Sequence, residues 1–137
     1  MSLFVDTSIW YAAADSSDID NRSAKAALLG GEALVTTDHV LIESWSLIHH
    51  RIGGRAAERF WELIRDGVAS VEIVGAADLD AAWRIGEEFP DQDFSIVDRT
   101  SFAVMRRLGI GRVASLDSDF AIFRFGPGKR RAFTVIR

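Results

Sequence analysis

Leu3-Phe4-Val5-Asp6-Thr7-Ser8 opens on three apolar residues and then turns on a carboxylate and two hydroxyls. The apolar triplet reads as a short buried strand. Asp6-Thr7-Ser8 is the kind of cluster that starts a helix, which the pattern carries over residues 9–14. Working outward, the same alternation recurs. Strands are predicted over 33–35, 71–74, 112–116 and 133–136, and helices over 24–29, 39–52, 55–65, 76–88 and 95–108, with a loop over 15–21. Gly30-Gly31, Gly53-Gly54, Pro90 and Gly109 punctuate them, Thr37 or Asp38 caps the helix at 39–52, and a short helical turn follows Asp117-Ser118-Asp119. Strand and helix in turn, joined by short loops, predict a single α/β domain over 1–137, with a mostly parallel central sheet of about five strands flanked by helices.

The composition agrees. The chain has 137 residues, 48% of them hydrophobic and 26% charged, which excludes a low-complexity chain and gives enough length for one core. There is no cysteine, so neither disulfides nor thiolate metal sites are available. No apolar run approaches the ~18 residues of a spanning helix. The opening residues do not read as a secretory signal, so the expected setting is cytoplasmic, with no membrane partner. Twenty acids against 16 bases leave a net charge of −4, unlike a protein that only grips phosphate. Lys25 and Lys129 are the only lysines, and arginines gather at Arg51, Arg55 and Arg59, at Arg106, Arg107 and Arg112, and at Arg130 and Arg131. A solvated charged face is the ordinary reading of such groups, and Arg is also the better fork for phosphate.

In a parallel α/β sheet the strand C-termini and helix N-termini share one edge, where ligands bind. Asp6 ends the first strand, Glu43 lies in the first turns of its helix, Asp98 in the first turn of another, and Asp117 follows the fourth strand, with Asp119 close behind. On a helical wheel Asp98 falls between Ser101, Phe102 and Met105, and Glu43 borders the stripe of Val40 and Leu47, so both are expected to be half-sunk in apolar faces. Each acid also has an ordinary use. Asp6-Thr7-Ser8 can cap a helix, Ser95-Ile96-Val97-Asp98 fits a capping-box spacing, Asp117-Ser118-Asp119 can be a turn, and Glu43 can pair with an arginine. Together on one edge they would repel one another, and a hard divalent cation with oxygen ligands, Mg²⁺ or Mn²⁺, relieves that.

Leu3-Phe4-Val5-Asp6-Thr7-Ser8, the helical Glu43, Asp93-Phe94-Ser95-Ile96-Val97-Asp98 and Ser115-Leu116-Asp117-Ser118-Asp119-Phe120 resemble, in order and spacing, the PIN-domain family and especially its VapC-like toxins. The resemblance implies Asp6, Asp98 and Asp117 as metal-binding acids and Glu43 as a further catalytic acid that holds a second ion or orients the water. Asp119 would be a less constant metal-binding acid, with Ser8 and Ser115 as polar neighbours. Ser115 departs slightly from the more usual Thr. The implied activity is a Mg²⁺- or Mn²⁺-dependent endoribonuclease that cuts single-stranded or looped RNA by metal-activated water, leaving 5′-phosphate and 3′-hydroxyl ends. The implied partners are an RNA substrate, a cognate antitoxin whose C-terminal tail fills the acidic edge, and a second copy in a homodimer. The apolar residues Phe60, Trp61, Leu63 and Ile64 are the candidate surface for self-association or antitoxin docking. Trp10, Tyr11, Trp45, Trp61 and Trp83 are candidate base-stacking residues, although core packing is the ordinary role of each.

Other readings compete less well. His39, His49 and His50 lack a third nitrogen or thiolate ligand at metal spacing. Gly109-Ile110-Gly111 lies between helix and strand, the wrong order for a dinucleotide loop. An aspartate-based phosphatase would place its Asp-x-Asp pair early and a lysine well after it, whereas Asp117 and Asp119 come near the end. A non-cleaving RNA- or protein-binding module is the remaining alternative.

Overall fold

The computed structural model describes all 137 residues. Strands β1 (Ser2–Val5), β2 (Ala33–Thr37), β3 (Ser70–Glu72), β4 (Arg112–Ala114) and β5 (Thr134–Ile136) form one sheet in the order β3-β2-β1-β4-β5, and every pairing is parallel. Helices α1 (Thr7–Ala14), α2 (Asn21–Leu28), α3 (Asp38–Arg51), α4 (Gly54–Arg65), α5 (Ala76–Glu88), α6 (Ile96–Leu108) and the single turn α7 (Asp119–Ile122) flank it. Because both faces are covered, β1 carries apolar residues on each side, and Leu3, Phe4 and Val5 are all buried. Phe4 lies level with Val35 of β2 and Val113 of β4. The chain builds away from β1 through β2 to β3, then returns to its other side with β4. β1 and β4 therefore enclose the switch point of the sheet, the crevice where parallel folds bind ligands.

The predicted helix 76–88 is the observed α5 to the residue, and the other expected elements are present with shifted ends. α1 starts at Thr7 because the Asp6 carbonyl already accepts from the N–H groups of Ile9 and Trp10. α2 starts at Asn21, whose side-chain amide donates to the Ala12 and Ala13 carbonyls and so shortens the expected loop. Thr37 caps α3 through its hydroxyl, which accepts from Val40 N–H. Gly54, expected to end a helix, opens α4 instead. β4 stops at Ala114, before the expected end at 116, because the Ser115 hydroxyl accepts the Asp117 N–H and bends the chain. Gly109, at φ 70°, ends α6 in the left-handed region that favours glycine.

Phe102 on α6 is fully buried at the centre of an aromatic group. Its ring stacks on Phe123 at 4.4 Å and meets Phe94 and Phe120 edge-on at 5.2 and 5.0 Å. Phe133, expected in the last strand, packs into this group just before β5. The cluster ties α6 to α7 and to the segment entering β5, which fixes both sides of the β4–α7 loop. Phe102→Ala should lower the unfolding free energy by about 3–5 kcal/mol, read as a lower urea midpoint with an unchanged slope.

Candidate metal centre

Asp6, Glu43, Asp98, Asp117 and Asp119 line one cleft of about 380 Å³ at the carboxyl edge of the sheet. Thr7, Ser8, Leu47, Asp93 and Ser95 complete its walls. Six carboxylates and no basic side chain face this space, and none of the four ion pairs in the structure involves any of the six.

Asp6 stands at the exit of β1 and is 4% exposed. Its side chain does not cap α1. The hydroxyls of Ser8 and Ser115 both donate to Oδ2, each at 2.9 Å. The same two hydroxyls tie down the loop after β4, since Ser8 accepts from Leu116 N–H and Ser115 from Asp117 N–H. Asp98 enters from the first turn of α6, which Ser95 caps by accepting the Asp98 N–H at 3.0 Å. Asp117 accepts the N–H of Asp119 at 2.9 Å and so turns the chain into α7. One carboxylate oxygen each from Asp98, Asp117 and Asp119 lie within 4.8 Å of one another.

Glu43 differs from the sequence expectation. It is exposed on α3 rather than half-sunk in the apolar stripe, because at its point on the helix it faces the mouth of the cleft instead of the core. The Thr7 hydroxyl donates to its Oε1 at 2.7 Å. Thr7 and Asp93 were not singled out from the sequence. Each is legible only as a member of a longer stretch, Thr7 within Leu3–Ser8 and Asp93 at the head of Asp93–Asp98, with no role of its own.

The arginine groups are less available than their clustering suggested. Arg107 forks Asp78, Arg112 forks Glu32, and Arg106 and Arg131 lie over the Phe125 ring. Arg106, Arg107 and Arg112 also sit where α6 ends and β4 begins, the sheet edge opposite the acids. Trp10 is buried against Phe60, while Trp61 and Trp83 are exposed. Phe60 and Ile64, expected on a docking surface, are core residues, so α4 presents only Trp61 and Leu63 of the four. His39 faces the Thr100 hydroxyl, His49 stacks on Trp45, and none of the three histidines lines the cleft. Lys129 approaches Glu88 rather than Asp117 or Asp119, which leaves the phosphatase reading without its lysine.

Burial pushes the Asp98 carboxyl up to about 8, reinforced by its hydrogen bond with Asp119 and by the charges of Asp6, Asp117 and Asp119. Burial likewise raises Asp6, against the lowering effect of the Ser115 and Ser8 hydroxyls, and raises Asp119. The donor set fits a hard divalent cation. Its charged groups are carboxylates only, crowded, partly desolvated and without a basic side chain beside them.

A carboxyl whose folded value is raised holds a proton that the unfolded chain has already lost. Stability therefore falls as pH rises from the ordinary carboxylate range toward about 8. In chelator the melting temperature should drop between about pH 5 and 8, and millimolar Mg²⁺ or Mn²⁺ should restore it. Asp98→Asn should raise the metal-free melting temperature at neutral pH and lose most of the gain from the ion.

The PIN domain sequence pattern matches residues 3–126. The chain is 37% identical over 124 residues, 90% of its own length and 95% of the relative's, to the 23S rRNA-specific endonuclease VapC20 of Mycobacterium tuberculosis. It is 27% identical over 136 residues, 98% of this chain and 99% of the other, to Ribonuclease VapC26 of the same species. The crystal structure of VapC20, described as a sarcin–ricin loop cleaving toxin, superposes with a TM-score of 0.83 at 36% identity, covering 88% of this chain and 93% of that one. A toxin–antitoxin complex from Klebsiella pneumoniae shares the fold at 12% identity, with a TM-score of 0.64 over 85% of this chain and 88% of that one. With the family pattern running from β1 past α7, and a relative this similar across nine-tenths of its length, the protein belongs to the PIN domain family.

Proposed function

We propose that this protein is a divalent-metal-dependent endoribonuclease toxin whose substrate is a looped RNA of the sarcin–ricin type, the target named for VapC20. The observation that carries the reading is the cleft of six carboxylates with no basic side chain in its lining, set at the switch point of the sheet. The identity to VapC20 supports carrying the RNA class across. Asp6, Asp98, Asp117 and Asp119 would hold Mg²⁺ or Mn²⁺. Such an ion, when bound, lowers the pKa of a coordinated water and neutralises charge on the phosphoryl group.

The remaining work falls to the chain itself. Ser8 and Ser115 keep Asp6 in place by donating to its Oδ2. Glu43, at the mouth of the cleft, orients the attacking water for in-line approach to phosphorus. Hydrolysis adds water across the P–O3′ bond, and the 3′-oxygen leaves with a proton. The ends are then a 5′-phosphate and a 3′-hydroxyl. All 137 residues would act as one nuclease domain, since β5 lies beyond the family match yet pairs with the strand that carries the Asp117 loop.

A cleft this acidic also suits a basic side chain from another protein. The toxin reading supplies the candidate: the C-terminal tail of a cognate antitoxin, laid across the acids with an Arg or Lys among them. We place the pair in the cytoplasm, where ribosomal RNA is available; no helix is long and apolar enough to cross a membrane. The second copy expected from the resemblance belongs to this proposal as a homodimer.

A synthetic sarcin–ricin RNA hairpin should be cut with Mg²⁺ or Mn²⁺ and left intact in EDTA, and ligation-based mapping should find 5′-phosphate ends. Asp98→Asn should slow cutting by at least about a hundredfold, within the usual range for loss of a group that stabilises transition-state charge. Cutting that survives EDTA removes the metal mechanism, and RNA binding without cutting returns the non-cleaving module. Light scattering at micromolar concentration should give about twice the 15.1 kDa chain mass, and the single-chain value overturns the homodimer.

A further inference from the structure

We infer that Thr7 is a positioning residue whose hydroxyl fixes the Glu43 carboxylate at the acid cleft; its catalytic consequence, though not the contact itself, rests on the nuclease reading above. Thr7 is the first helical residue of α1, one past the N-cap Asp6, so its hydroxyl is not used to cap the helix. The Thr7 side chain makes one hydrogen bond, across 36 residues, to Glu43 Oε1 at 2.7 Å.

The two partners are unequal. Thr7 is 7% exposed and β-branched, so its hydroxyl direction is set by packing. Glu43 is exposed on α3, has three rotatable side-chain bonds, and has neither a second hydrogen bond nor an ion pair. Without the hydroxyl nothing but rotamer preference would hold it over the cleft, and a lone exposed Glu samples many rotamers. A neutral donor to an ionised carboxylate is also among the stronger hydrogen bonds. Adjacent residues thus each hold one acid: Ser8 restrains Asp6, and Thr7 restrains Glu43.

Thr7→Val removes the hydroxyl while keeping the shape, and Thr7→Ser keeps the hydroxyl. With the hairpin RNA at saturating Mg²⁺, T7V should cut about ten- to a hundredfold more slowly, the usual cost of losing a group that orients an active-site ligand. T7S should stay near wild type, and T7V combined with Glu43→Gln should be no slower than E43Q alone. A T7V that cuts like wild type, or a T7V defect that multiplies in full onto E43Q, overturns the inference. Crystal structures of the two variants give a readout without any activity. Glu43 should swing to solvent in T7V and hold its place in T7S, and an unmoved Glu43 in T7V overturns the inference equally. A wild-type protein that cuts no RNA with either ion removes the nuclease reading alone, and the position of Glu43 in T7V still decides this one.

Discussion

Six carboxylates share one small cleft with no basic side chain between them, and the architecture around them is the means of tolerating that. Like charges at this spacing are costly, more so where burial has stripped away water. The metal-free chain meets the cost partly by protonation. Asp98 is pushed toward about 8, with Asp119 as its hydrogen-bond partner. It meets it partly with hydroxyls, two of which converge on a single oxygen of Asp6. A divalent cation answers the same problem with one ligand. The repulsion therefore sets both the chemistry of the site and the sensitivity of the metal-free fold to pH.

The acids stay in register because their backbone is held from several directions. β1 is the central strand and delivers Asp6. β4, beside it, delivers Ser115 and the loop to Asp117. Ser8 accepts the Leu116 N–H and so joins the start of α1 to that loop. Behind α7, Phe120 and Phe123 are buried against Phe102, so the turn carrying Asp119 is anchored to the helix that carries Asp98. Apolar packing on one side and a hydroxyl network on the other leave the carboxylates little freedom to move apart. Glu43 is the exception, and it is restrained from outside this frame by Thr7.

The elements that could be read from the chain were those governed by local rules. α5 runs between Gly75 and the residues before Pro90, and α6 between a Ser95 cap and Gly109, as their end signals dictate. The strand-and-helix alternation implies a parallel sheet, because parallel strands need crossovers. Errors fell at element ends decided by side-chain hydrogen bonds to the backbone, which hydrophobic period does not report. β4 ends early because a side chain two residues ahead of Asp117 takes its N–H, and α2 begins early because Asn21 reaches back to the end of α1. The arginine clusters misled for a different reason, the distance of their partners along the chain. Sequence proximity shows charge density, while Glu32 and Asp78, the partners of Arg112 and Arg107, lie 80 and 29 residues away.

What the sequence determined by itself is the fold class, the edge on which Asp6, Asp98 and Asp117 must lie, and the kind of ion that carboxylates without thiolates or paired imidazoles would take. Those follow from short-range preferences and from the geometry that every parallel sheet shares. The tertiary structure alone decided that Asp98, Asp117 and Asp119 form the tight group, that one oxygen of Asp6 is already occupied, that Glu43 is exposed and held by Thr7, and that Phe60 and Ile64 belong to the core. The physical reason is that hydrogen bonds of a few ångströms between residues 36 or 109 apart depend on how whole elements pack, and no periodicity along the chain encodes that distance.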